Sequence, residues 1–115
     1  MTAPDRVTVT IQYLPGCPNL ELVQDRLAEA ARTLPGPGPV VRLHRVGDRG
    51  QAEAEGFAGS PTLLIDGVDP FPHPSGAGFT CRLYPTPDGV QGAPSAEQLA
   101  AALRRTGAGQ RASSR

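Results

Sequence analysis

Two sulfurs carry most of the chemistry this chain offers. Cys17 and Cys81 are its only cysteines, and His44 and His73 its only histidines. Two cysteines are too few for a disulfide scaffold, and neither histidine falls at a ligand-like spacing from a thiol. No metal site and no cofactor are therefore expected. Cys17 stands out by its surroundings, Pro15-Gly16-Cys17-Pro18-Asn19. If a strand ends there and a helix begins, free amides and the positive helix end favour a thiolate. That makes Cys17 a candidate nucleophile. The plainer reading is a small cap residue or a buried hydrophobe.

The second feature is Gly59-Ser60-Pro61-Thr62. Proline cannot donate to a sheet ladder and so belongs at a strand start, where the bond before it can be cis. Cys81 lies in Thr80–Tyr84 and reads as a buried strand residue; its alternative role is a second thiol of the site. His73, in Pro70-Phe71-Pro72-His73-Pro74, reads as a loop bystander or as a base or ligand over a site. Phe71 and Phe79 are expected to anchor that loop, and Asp66 to serve a turn. Asn19 either hydrogen-bonds a bound thiol or sulfur oxyanion or stabilises the first helical turn.

The elements that must position these residues follow from periodicity. Arg6 to Leu14 alternates Val7, Val9, Ile11 and Tyr13 against polar residues, a strand. Leu20, Val23, Leu27, Ala30 and Leu34 recur at helical spacing after Pro18, which suits a first helical turn. Val40 to Val46 is a second strand, parallel to the first if the helix crosses over. Asp48 to Glu55 is a short helix ending near Gly56. Thr62 to Ile65 is a buried strand closed by Asp66-Gly67. Thr80 to Tyr84 is expected as a fourth strand, antiparallel to the third. Pro85 to Pro94 reads as a connection. Ser95-Ala96-Glu97-Gln98 is a capping box opening a last helix through Leu99 and Leu103. In this arrangement Cys81 lies roughly 10 Å from the end of its strand nearest Cys17, at about 3.3 Å per residue. A resting bridge between the two, which needs Cα atoms within about 7 Å, is not expected.

The chain has 115 residues with 14 glycines and 13 prolines. That size suits one domain, and the punctuation implies loops. It is expected over residues 1–105, with a disordered tail over 106–115. Net charge is zero, with all eleven basic residues arginine and interleaved with acids. This gives no electrostatic footing for nucleic acid or an anionic membrane. No apolar run is long enough to span a bilayer. The amino terminus has no apolar signal region, which implies a cytoplasmic protein with reduced thiols, a monomer or weak dimer.

The residues Pro15–Asn19, Gly59–Thr62 and Leu64-Ile65-Asp66-Gly67 resemble the thioredoxin/glutaredoxin superfamily, over roughly residues 5–104. The resemblance implies an α/β fold of order β-α-β-α-β-β-α, with a mixed four-stranded sheet and helices on both faces. It implies Cys17 as nucleophile and Pro61 as a cis-proline beside it. Gly16, Pro18, Asn19, Ser60, Pro61 and Thr62 would line the substrate, with the Ser60 backbone pairing with an extended peptide or thiol. Leu20 stands where the family carries its resolving cysteine. The implied activity is therefore of monothiol type, a possible thiol-disulfide oxidoreductase, with a low-molecular-weight or protein thiol or disulfide as partner. A non-enzymatic binding module on the same fold is the alternative. Cys17–Asn19, Gly59–Phe71 and Thr80–Tyr84 also resemble segments of small bacterial thioredoxin-like proteins, sometimes labelled alkylmercury lyase. That resemblance implies soft-metal or organomercurial handling by Cys17 with Cys81.

Overall fold

The computed structural model describes residues 7–71 and 79–106. His73 and the tail expected over 106–115 lie outside these residues, apart from Thr106, the last residue of the final helix. The elements are β1 (Thr8–Tyr13), α1 (Leu20–Arg32), β2 (Val40–Arg45), α2 (Arg49–Glu55), β3 (Thr62–Ile65), β4 (Tyr84–Thr86), β5 (Gly89–Gln91) and α3 (Ala96–Thr106).

The main sheet is mixed and three-stranded, in the order β2-β1-β3. β1 runs parallel to β2, with Val9 beside Val41 and Ile11 beside Leu43. It runs antiparallel to β3, with Ile11 beside Leu63 and Gln12 beside Thr62. Alternation sends Val7, Val9 and Ile11 to one face, where they meet Leu63 and Ile65. Val23, Leu27 and Ala30 of α1, with Leu99, Ala100, Ala102 and Leu103 of α3, close over them. Each large apolar side chain buried in this way contributes about 1.5–3 kcal/mol. A smaller cluster joins Val46, Ala52 and Phe57, with Leu14 and Phe79 packed against it.

The ends of the helices follow their sequence. Asp48 caps α2 by accepting from the Gln51 N–H at 2.8 Å, and Gly56 ends it with φ 65°. The capping box of α3 is reciprocal: Gln98 N–H donates to Ser95 Oγ at 3.1 Å, and Ser95 N–H to Gln98 Oε1 at 2.8 Å. Asp66 serves its turn as expected, its carboxylate accepting from the Thr8 N–H at 2.9 Å.

The fourth strand is a correction. Thr80–Tyr84 does not pair with β3 as an antiparallel strand, so the sheet has three strands and not four. Tyr84 instead begins β4, which forms a separate two-stranded hairpin with β5. That hairpin falls in the stretch expected to be a mere connection. Pro87-Asp88-Gly89 between Thr86 and Val90 is turn chemistry that reveals it. A second correction concerns α1, which starts at Leu20, so Pro18 precedes the helix and does not occupy its first turn.

Candidate functional site

The site is assembled where β1 ends and β3 begins. Pro15 and Gly16 turn the chain sharply after β1. Cys17 N–H donates to Leu14 C=O at 3.1 Å, and Gly16 has φ 75°. Proline followed by a glycine of positive φ is the pattern of a type II turn. Cys17 is free and half-exposed, and it stands two residues ahead of the N-cap, Asn19. Its carbonyl accepts from the Leu20 N–H at 3.4 Å. Leu20 is half-buried and packed on the main core, so the residue one turn into the helix serves packing.

Across from this turn lies a cis Ser60–Pro61 bond, as expected. Ser60 is completely buried. Its hydroxyl accepts from the Leu14 N–H at 3.0 Å, which ties the Cys17 turn to the start of β3. Thr62 is buried and its hydroxyl donates to Gly59 C=O. Pro61 C=O accepts from the Tyr84 hydroxyl.

Two sequence expectations fail here. The resemblance leaves the Ser60 backbone open to a substrate, but the chain itself fills that place. Ser60 N–H donates to Thr80 C=O at 2.8 Å, and Arg82 N–H to Ser60 C=O at 2.8 Å. Cys81 is thereby paired directly with Ser60 in a parallel bridge. Cys81 is also exposed, not buried. The roughly 10 Å offset expected for it assumed an antiparallel strand returning along β3, and that strand does not exist. The cysteine-bearing segment instead crosses at the first residue of the corner.

Of the remaining site candidates, Gly16 and Pro18 are exposed. Asn19 makes no side-chain cap bond. Its side chain lies against Gly92, where an added Cβ would come within 2.3 Å of Asn19 Nδ2. Asn19 therefore packs on the loop before α3. Ser60, Pro61 and Thr62 are buried, so their side chains build the corner and do not line it.

Behind the corner is a cluster that sequence reasoning missed. Arg82 and Asp69 form an ion pair at 2.7 Å, with side chains only 4% and 14% exposed. Arg82 also donates to Phe71 C=O at 3.1 Å, and its guanidinium lies 4.5 Å from the Tyr84 ring centroid. Phe71 meets Tyr84 edge-on at 5.7 Å. Burial pushes the Tyr84 hydroxyl well above its ordinary pKa; Arg82 opposes the rise and Asp69 adds to it. The available signal was the single arginine inside an otherwise uncharged Phe79–Tyr84 stretch.

Among the described residues, no group of three or more His, Cys, Asp or Glu side chains gathers as a metal site would require. No helix there is long and apolar enough to cross a membrane. Comparison with protein-family models, curated proteins and solved structures finds no match in any of the three.

Proposed function

We propose that this protein performs thiol–disulfide exchange, with Cys17 as the attacking sulfur, on a thioredoxin-like scaffold. The observation that carries the reading is the joint of two turns. A half-exposed thiol leaves a Pro-Gly turn at the end of β1, and that turn is bonded through Leu14 to the Ser60–Pro61 corner. The sulfur thus sits on a rigid support, open on one side to a small or peptidic thiol partner. Leu20 occupies the position where an adjacent second thiol would stand, so α1 supplies a monothiol centre. Cytoplasmic work with a low-molecular-weight thiol or a protein disulfide suits such a centre.

Limiting alkylation at mildly acidic pH, mapped by mass spectrometry, tests this. Labelling concentrated at Cys17, ahead of the more exposed Cys81, is the expected result. Labelling of both at the rate of a model thiol removes the reading in favour of a binding module. A second reading, capture of a soft cation by Cys17 and Cys81, is favoured by the Ser60–Cys81 bridge, which brings both thiol-bearing segments to one corner. Mercuric ion protecting both thiols from alkylation at one equivalent would support it.

A further inference from the structure

We infer that Cys81 is the resolving thiol of Cys17, delivered from a distant segment in place of a neighbour on α1. The inference rests on the exchange reading above and names what completes its cycle.

Ser60 is the pivot. On one side its hydroxyl holds the Leu14 N–H, and the Leu14 carbonyl holds the Cys17 N–H. On the other, its backbone N–H and C=O bracket Cys81 through Thr80 and Arg82. Both cysteine-bearing segments are therefore one hydrogen-bonded step from the same residue. Residues paired directly across neighbouring strands lie about 4.8 Å apart and project to the same face. The Cys81 side chain thus leaves on the same face of the pairing as the Ser60 side chain, whose hydroxyl holds the Leu14 N–H. Cys81 is exposed while its neighbour Arg82 is buried and paired with Asp69, so the anchor and the thiol point opposite ways. Gly59 is what admits the segment: a Cβ there would come within 2.9 Å of Arg82 Cβ. The bracketed segment takes up both backbone bonds of Ser60 and presents a cysteine there.

The chemistry balances with a low-molecular-weight disulfide, RSSR, as oxidant. The Cys17 thiolate attacks one sulfur of RSSR, forming a Cys17–SR bond and releasing RS⁻. The Cys81 thiolate then attacks Cys17 Sγ, the Cys17–SR bond breaks and a second RS⁻ leaves. Two protein thiols are oxidised and one disulfide is reduced to two thiols. Held in the same molecule, Cys81 competes at an effective concentration of the order of mM or above.

The test uses the full chain, its Cys81→Ser variant and its Cys17→Ser variant, each treated with oxidised glutathione and read by intact mass and peptide mapping. Expected is a wild-type product lacking two hydrogens, with Cys17 joined to Cys81 and no retained glutathionyl group. Cys81→Ser should stop at a persistent glutathionyl adduct on Cys17. If the wild type retains that adduct as the variant does, Cys81 does not resolve and the inference fails, while Cys17 exchange stands. If Cys81→Ser gains no adduct on Cys17, the exchange reading itself fails and takes the inference with it. If Cys17→Ser gains an adduct on Cys81 as fast as the wild type reacts, Cys81 attacks first and the assigned order is overturned.

Discussion

Tyr84 does two jobs that respond differently to pH. Its hydroxyl donates to the Pro61 carbonyl, and its ring lies under the Arg82 guanidinium and meets Phe71 edge-on. Burial raises its pKa above the usual value near 10. A group whose folded pKa lies above its unfolded one stabilises the fold fully below the unfolded value. That contribution is lost as pH climbs towards the folded value. Melting temperatures should therefore fall as pH passes about 10, the ordinary tyrosine value. Tyr84→Phe should melt lower near neutrality, by the order of 1 kcal/mol for the lost hydrogen bond, but decline less steeply at high pH. Parallel slopes for the two proteins would show that the hydroxyl does not govern alkaline stability.

The segment from Thr80 to Tyr84 is held by a buried ion pair and by the space Gly59 leaves. Breaking a buried pair by removing one partner typically costs about 3–5 kcal/mol, because the other charge stays uncompensated. Asp69→Ala should lose stability on that scale in urea titrations, whereas Asp88→Ala, at the exposed turn of the β4-β5 hairpin, should lose well under half as much. Gly59→Ala meets both a Cβ clash with Arg82 and a φ of 109° that L side chains rarely adopt. It should expose the Ser60 amide, seen as faster hydrogen exchange there, with the amides of β1 unchanged. These contacts also mark where sequence reasoning stops. Strand β1, the helices and the capping box of α3 were legible because their signals are local: alternation in Val7–Tyr13, helical spacing from Leu20, Ser95 with Gln98. The cis corner was legible from Ser60-Pro61-Thr62 and the resemblance it carries. The placement of Cys81 was not. Thr80–Tyr84 looks like a strand from its composition, but its partner is set by long-range choices: Arg82 with Asp69, Gly59 with Arg82.

At the scale of the whole molecule, β2 leaves one edge of the main sheet open. It is an edge strand whose six residues are all exposed, with Val40, Val41 and Leu43 at 38%, 45% and 48%. Beside it, between β2 and α1, an apolar cleft of about 420 Å³ is lined by Leu27, Ala28, Ala31, Pro39 and Val41. Charges on an edge strand discourage pairing with another chain, and β2 carries Arg42 and Arg45. Replacing both with Thr should promote concentration-dependent association, visible by light scattering, with the thermal midpoint of dilute protein little changed. An unchanged scattering profile would mean that the arginines do not guard the edge. At the opposite side of β1, the close approach of Gly59 to Arg82 has a consequence for descent. A lineage cannot change these two positions independently. Any side chain at residue 59 displaces the segment carrying residue 82. Loss of the arginine removes the ion pair of Asp69, leaving its carboxylate the Phe71 N–H, and frees residue 59 to vary. Related chains should therefore fall into two camps, glycine with arginine or neither, and the second camp should also have lost its acid at position 69 and its thiol at position 81.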